Sequence, residues 1–372
     1  MRICHLITSL NPGGAQSMLR RLIAGLEPMG FKNKVICFVK YPVIADSLKE
    51  IGVEVIDLGL SSTQISAKAF IQAKDIVNEF KPDVGQGLMY HGNTLGSLLP
   101  TNAKIFWNIR HSLEGFKQEK KLTQLLIRSA PLLSQRASKI IYCSELSTTR
   151  HEAFGFPPEK RVVIPNGFSA NNYYFDREAR ISLRNKLKIS EDVVVLGNAT
   201  RFHPMKNQLG LIKAFAEIKK DFPQILLLLC GRGIDWNNPQ LADLIDTEQI
   251  EDSVRLLSHV DDMRSLYSAL DLYVSASSWG EAFPNVLGEA MLCQLPCITT
   301  DVGDSRLLVG NSGVIIPPST QDKLVQALTK MLNFSLQERQ EYGLLARKQI
   351  ITKYEINKII NDYAKAYKSV AG

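Results

Sequence analysis

The chain has 372 residues, more than one hydrophobic core of ordinary size accommodates, and this length predicts two domains. With 45% hydrophobic and 22% charged residues and scattered Gly and Pro, the composition is that of a soluble globular protein and excludes disorder and low complexity. The formal charge of +7 is unevenly shared: residues 1–166 carry 21 Lys and Arg against 13 Asp and Glu, and the remainder 23 against 24, so the first half faces something anionic.

Met1 to Leu10 sets Arg2 before an apolar run, but His5 interrupts it and Asn11-Pro12-Gly13-Gly14 follows, which predicts a first strand and loop rather than an export signal. Short apolar runs predict strands at 3–8, 35–39, 53–58, 84–87, 104–108, 140–143 and 162–164, separated by helical segments. In the first of those segments Met18, Leu19, Leu22, Ile23 and Leu26 recur at helical spacing and should pack on the sheet. Val84 to Ala103 lacks Asp, Glu, Lys and Arg, yet its Gln, Asn, Thr, Ser and Pro rule it out as a membrane span. Lys117, Lys120, Lys121, Arg128, Arg136 and Lys139, interleaved with leucines, read either as a basic amphipathic helix against a membrane or lipid diphosphate, or as an ordinary solvated face. No nucleic-acid motif accompanies this charge, so nucleic acid is not an expected partner.

Pro165-Asn166-Gly167 closes the first series, and the polar stretch 168–190 lacks strand periodicity and is assigned as a crossover linker. Residues 1–167 then form the first domain, 191–353 the second, with strands at 193–198, 225–230, 254–257, 272–275, 297–299 and 314–316, and 354–372 a closing helix. The expectation is α/β throughout: two Rossmann-like, doubly wound parallel sheets. Six cysteines lie in or beside apolar runs with no zinc spacing and read as reduced core residues of a cytosolic protein. No Asp-x-Asp occurs, so no metal site is expected.

In such sheets ligands bind outside the carboxyl ends of the strands. After the strand at 193–198 come Arg201 and Lys206, ahead of a helix beginning near Gln208, where two cations and a helix N-terminus would seat a diphosphate; a surface basic pair is the alternative. After the strand at 272–275, Pro284 suits a first helical turn, so that the N–H groups of Asn285, Val286 and Leu287 serve an anion, with Glu281 before the turn and Glu289 on the helix. The carboxylates would accept hydrogen bonds from vicinal hydroxyls of a sugar or ribose; an ordinary first-turn acid and a solvated helix acid are the alternatives. If the helix ran unbroken, the eight-residue separation would rise roughly 12 Å, too far for the two carboxylates to flank one bond as in a glycosidase.

Gly280 to Met291 resembles the Glu-x(7)-Glu signature of the family 4 retaining glycosyltransferases with the GT-B fold, in which two Rossmann-like domains face a central cleft. Nearly the whole chain is similar: Asn11 to Ala15 to the N-terminal glycine loop, Ile164 to Gly167 to the interdomain segment, Asn198 to Arg201 with Lys206 to the phosphate-binding basic pair, and Leu229 to Gly233 to a glycine-containing strand end. The resemblance implies that Glu281 holds donor-sugar hydroxyls, Glu289 the ribose, and Arg201 and Lys206 the leaving diphosphate. It further implies that Gly13 and Gly14 admit donor and acceptor, that Gly231, Arg232 and Val260 surround the base, and that Phe283, Pro284, Asn285 and Val286 line the donor site. His111, after the strand at 104–108, matches the position where the family places a His beside the transferred sugar.

Ala282 stands where the family commonly has Gly, and Asp301-Val302-Gly303-Asp304-Ser305 replaces a Gly-Gly-x-x-Glu type segment, as in a subset associated with bacterial surface polysaccharides. The implied activity is metal-independent, retaining transfer from a nucleotide-sugar, UDP-sugar favoured over GDP-sugar and no cofactor, to a hydroxyl of a glycan or lipid-linked acceptor in cell-envelope polysaccharide assembly. The setting is the cytoplasm, peripheral on the inner face of the membrane. A nucleotide-sugar epimerase of the same fold and a non-catalytic carbohydrate-binding homologue are the alternatives. A dinucleotide dehydrogenase fits less well, since Asn11 to Gly14 is not G-x-G-x-x-G.

Overall fold

The computed structural model of the chain describes residues 1–11, 13–39, 43–60, 66–116 and 121–370, arranged as two compact units. One comprises Met1–Gly167 together with Ile356–Gly372, the other Phe168–Glu355.

The first unit carries a seven-stranded sheet of β1 (Arg2–Ile7), β2 (Lys32–Val39), β3 (Glu54–Leu60), β4 (Val84–Leu88), β5 (Lys104–Ile109), β6 (Lys139–Tyr142) and β7 (Arg161–Val163) in the order β3-β2-β1-β4-β5-β6-β7. Every pairing is parallel. The second unit carries β8 (Val194–Ala199), β9 (Ile225–Cys230), β10 (Val254–Leu257), β11 (Leu272–Ser275), β12 (Cys297–Thr300) and β13 (Gly313–Ile316), all parallel, in the order β10-β9-β8-β11-β12-β13. Parallel sheets need crossover helices on both faces, so their strands are buried on both sides and read as continuous apolar runs. All six residues of β9 are buried accordingly. The strand order reverses between β1 and β4 and between β8 and β11, and the loops leaving those strands are the expected ligand sites.

The first helix, Gly14–Leu26, buries Met18, Leu19, Leu22, Ile23 and Leu26, the face read from the sequence. The last, Ile356–Lys368, buries Ile356, Ile359, Ile360, Tyr363, Ala364 and Tyr367 against Ile3, Met18, Leu22, Leu26 and Phe31 of the first unit. Each such isoleucine contributes about 1.5–3 kcal/mol relative to exposure. Tyr367 also donates to Gln86 Oε1, Gln86 Nε2 donates to His5 Nδ1 at 3.4 Å, and His5 Nε2 donates to Asn33 Oδ1 at 2.9 Å. This chain fixes a neutral imidazole, and burial lowers the pKa of His5 to about 4.

Residues 168–190 are not the crossover linker expected from the sequence. They belong to the second unit and contain the helix Arg177–Lys186, capped by Asp176, whose side chain accepts from Ala179 N. The physical reason is Arg184, fully buried, which donates to the carbonyls of Ala269, Ser190 and Val193 and pairs with Asp271 at 2.5 Å. A buried guanidinium, rather than an apolar stripe, anchors this helix, so hydrophobic periodicity does not report it. The cysteines are free and buried, and burial pushes the thiols of Cys4 and Cys230 up to about 12 and about 11. No helix among the described residues is long and apolar enough to cross a membrane.

Candidate active site

At the β8/β11 reversal two loops are laced together by hydrogen bonds. Thr200 Oγ1 donates to Asn198 Oδ1 at 2.6 Å, and Asn198 Nδ2 crosses to the carbonyl of Val274 at 2.8 Å. Gln208, the first residue of the helix Gln208–Lys219, reaches back to Thr200 Oγ1 and to the carbonyl of Arg201. Between them a 3-10 turn, Pro204–Lys206, is capped by His203, and Ser278 N donates to the carbonyl of Met205 at 2.8 Å, joining this loop to the one after β11.

This bracing brings together residues distant in sequence. Lys206 Nζ forms an ion pair with Glu281 Oε1, and Ser277 Oγ donates to the same oxygen at 2.8 Å. Both charged side chains are largely buried, at 13% and 11% exposure, where a pair holds only if its remaining hydrogen bonds are made. The segment after β12 supports the carboxylate from behind: Thr300 Oγ1 donates to the carbonyl of Ser277 at 2.6 Å and Asp304 N to that of Ala282 at 2.9 Å. Gly303, at φ +60°, passes so close that a Cβ there would lie 2.5 Å from the carbonyl oxygen of Glu281. Thus the segment that departs from the family pattern is a brace for Glu281. Glu289 is also buried and accepts from Tyr267 Oη at 3.3 Å. Burial first, and then the neighbouring Glu289, hold the Tyr267 phenol protonated, so it remains a donor.

These positions overturn two of the alternatives left open by spacing. Glu281 is not a first-turn acid, because the helix spans Asn285–Leu292 with Pro284 as its N-cap, and Glu289 is not solvated. Pro284 thus precedes the first turn instead of standing in it, while Asn285 and Val286 occupy that turn half-buried. Arg201 is exposed at the carboxyl edge, and together with Lys206 it depresses the pKa of His203, after the larger effect of burial. Gly231 has φ +142°, and a Cβ would lie 2.4 Å from the carbonyl oxygen of Thr200, so only glycine lets the loop after β9 approach the loop after β8. Phe202 N donates to the carbonyl of Arg232 at the same point, with the Arg232 side chain exposed and Val260 half-buried beyond β10.

Phe283 does not line a ligand site with its ring. It is buried, stacked on Phe168 at 6.2 Å and edge-on to Tyr354 at 5.3 Å, because an aromatic ring at this turn gains more from the unit's own core. Sequence reasoning missed Ser277, Tyr267, Thr300 and Gln208. Ser277, four residues before Glu281, and Gln208, two after Lys206, were within local reach.

In the first unit, Gly13 is the N-cap of the helix Gly14–Leu26 with extended backbone, φ −179°, so its conformation does not demand glycine. That helix has no side-chain cap and no acidic residue in its first turn. His111 follows β5; its Nδ1 accepts from Leu113 N at 3.0 Å, and Ser147 Oγ donates to its carbonyl at 2.6 Å. Behind it His151 Nδ1 donates to the carbonyl of Ser147 at 2.7 Å, which leaves Nε2 to accept from Tyr90 Oη at 2.7 Å. Burial lowers the pKa of His151 to about 3. Two bulky residues beside this corner, Met89 after β4 and Leu113, stand at φ +60° and +61°, a conformation costing about 1–3 kcal/mol each that concentrates at functional sites.

The basic segment is only partly described: Lys117 and Lys120 lie outside the described residues, whereas Lys121 and Arg128 are exposed on the helix Lys121–Ser134. Its leucines do not all turn inward. Leu122, Leu125 and Leu132 are 62%, 64% and 78% exposed, while Ile127 and Ala130 are buried. Among the described residues no three His, Cys, Asp or Glu side chains cluster as a metal site would require.

Residues 179–349 match the family described as "Glycosyl transferases group 1". The chain is similar to N-acetyl-alpha-D-glucosaminyl L-malate synthase of Bacillus anthracis, 27% identical over 215 residues, which are 57% of this chain and 55% of that protein. It is also similar to lipopolysaccharide 1,2-N-acetylglucosaminetransferase of Salmonella typhimurium, 25% identical over 251 residues, 64% of each chain. The alignments thus span less than two thirds of these relatives. In fold it is similar to the crystal structure of HepE of Anabaena in complex with UDP-glucose, with a TM-score of 0.88, 23% identity, and 99% of this chain and 100% of that one covered.

Proposed function

We propose that the chain, whose residues 179–349 match the group 1 glycosyl transferases, transfers a sugar, with retained configuration and without a metal, from a nucleotide-sugar held by the second unit to a hydroxyl acceptor. The observation that carries this reading is the convergence of Lys206, Glu281 and Ser277 at the strand-order reversal, with Glu289 on the helix that follows. A diphosphate arriving at Arg201, Lys206 and the N-terminus of Asn285–Leu292 competes for Lys206 and releases the Glu281 carboxylate to accept hydrogen bonds from sugar hydroxyls. Glu289 then takes the ribose, and Gly231, Arg232 and Val260 flank the base. As the glycosidic bond breaks, negative charge grows on the leaving oxygens, and the cations with the first-turn N–H groups stabilise it more in the transition state than before it.

UDP-sugars are the favoured donors, in keeping with the UDP-glucose bound by HepE. The name of the Salmonella relative favours envelope polysaccharide as the pathway. The exposed stripe Leu122, Leu125 and Leu132 beside Lys121 and Arg128 favours a place on the inner membrane face, where apolar insertion and anionic headgroups act together. Vesicle sedimentation tests that last point. Wild type should bind anionic vesicles at low salt and Leu125→Asp should not, and equal binding to neutral vesicles would remove the proposal.

The decisive experiment is thermal stabilisation of wild type and Glu289→Ala by UDP-, GDP-, ADP- and dTDP-sugars without metal, since a ligand of the native state raises stability by mass action. A shift with one nucleotide class that is lost in Glu289→Ala supports the site. Donor consumed with no acceptor present would favour epimerisation, and no shift with any donor would reject the reading.

A further inference from the structure

Arg110 is a cation with no counter-ion among the described residues. It follows β5 directly, and its guanidinium donates from Nη1 to Asn108 Oδ1 at 3.0 Å and to Tyr363 Oη at 3.2 Å, and from Nη2 to Asn166 Oδ1 at 2.5 Å. All three acceptors are neutral. The nearby acid Glu114 pairs with Arg150 at 3.2 Å, and among the described residues no carboxylate comes within ion-pair distance of Arg110.

The cradle itself is rigid. Asn108, Tyr363 and Asn166 are 1%, 0% and 5% exposed, and Asn108 is fixed by Asn93, whose Oδ1 accepts from Asn108 N at 3.1 Å. A guanidinium held this way loses little further freedom when it binds, and its Nε–H and second Nη2–H remain for an oxyanion. Its surroundings favour the same charge. Asn166 adjoins Gly167, whose carbonyl accepts from Arg21 and whose N–H meets Met18 Sδ, both on the helix with no acid in its first turn. The strained residues Met89 and Leu113 border the same edge of the sheet.

We propose that Arg110, oriented by Asn108, Asn166 and Tyr363, is an oxyanion seat at the carboxyl edge of the first sheet, and that the acceptor therefore carries a phosphate or a carboxylate. The seat stands on the geometry alone. Its assignment to the acceptor rests on the transferase reading above.

Calorimetric titration of wild-type protein already saturated with UDP, using inorganic pyrophosphate in one arm and malate in the other, tests both parts. One of the two anions should bind, and which one separates a phosphorylated acceptor from a carboxylate one. Arg110→Met should weaken that binding by about tenfold or more with UDP affinity unchanged, and Tyr363→Phe by a smaller factor. If Arg110→Met fails to fold, Arg110→Lys replaces it, with weakened binding expected because a point charge cannot reproduce the planar fork. Binding of neither anion to wild type, or equal binding by the variants that fold, overturns the proposal. Should wild type bind the anion through Arg110 but not bind UDP, the seat stands and the transferase reading falls.

Discussion

In the second unit Lys206 meets the buried carboxylate of Glu281, whereas in the first unit Arg110 meets, among the described residues, amide and phenol oxygens. Both corners lie at the carboxyl ends of parallel strands in sheets of the same plan. A cation beside a carboxylate can hold a ligand that is part anion and part polyol, because each charge has a role once the pair opens. A cation on neutral dipoles keeps its full charge for an anion. The same fold therefore offers two different selectivities, set by which residue type stands opposite the base.

The sharpest way to break this comparison is through stability. Arg184, paired with Asp271 and buried, should cost about 3–5 kcal/mol when changed to Met, because half of a buried ion-pair network is removed: Asp271 is left to Arg180 and Val195 N, and the carbonyls of Ala269, Ser190 and Val193 lose their donor. Arg110→Met leaves no orphaned charge and should cost much less; denaturant unfolding of the two variants decides, and equal losses would make Arg110 a structural brace. Next in size, Lys206→Ala should lower kcat by about 10²–10³-fold if it stabilises the leaving group. Combined with Glu281→Gln the losses should fall short of additive, since the two side chains share one interaction, and strict additivity in steady-state kinetics would deny that coupling.

Acid separates the units further. His5 and His151, both in the first unit, have folded pKa values of about 4 and about 3 against an ordinary 6.5. The unfolded chain then binds more protons than the folded one below 6.5, so their contribution is complete above that pH and is lost as pH falls toward the folded values. Hydrogen exchange should show the first unit losing protection as pH drops from 6.5 to 4.5, and loss confined to the second unit would contradict this. The smallest effect is expected for Ser277→Ala, which removes one hydrogen bond to a charged oxygen and should reduce turnover by about tenfold. An unchanged rate would mean that Lys206 alone orients Glu281.

Much of the architecture was legible because parallel strands, buried on both faces, announce themselves as short apolar runs. All thirteen strands among the described residues stand within a few residues of where such runs lie. The helix Gly14–Leu26 was legible for a similar reason, its buried face being wholly apolar. The helix Arg177–Lys186 was not, because Arg184 attaches it by hydrogen bonds. At the candidate site Lys206 and Glu281 were each visible, but their contact spans 75 positions and no local pattern encodes it. Phe283 misled for the opposite reason. It sits amid site residues in sequence while its ring serves the core. Arg110 stood in view beside His111, yet what distinguishes it is that its partners among the described residues are neutral, which only three dimensions display.

The division of the chain, with Phe168–Glu355 forming one unit and Ile356–Lys368 returning to the other, has a consequence for biosynthesis. As the polypeptide emerges from the ribosome, the second unit has all of its residues before the first does. The first must wait with Ile3, Phe31 and Phe106 short of the covering that Ile359, Ile360, Tyr363 and Tyr367 supply. Chaperones should therefore engage nascent chains most strongly while residues 168–355 are being synthesised, and let go once the final helix has docked.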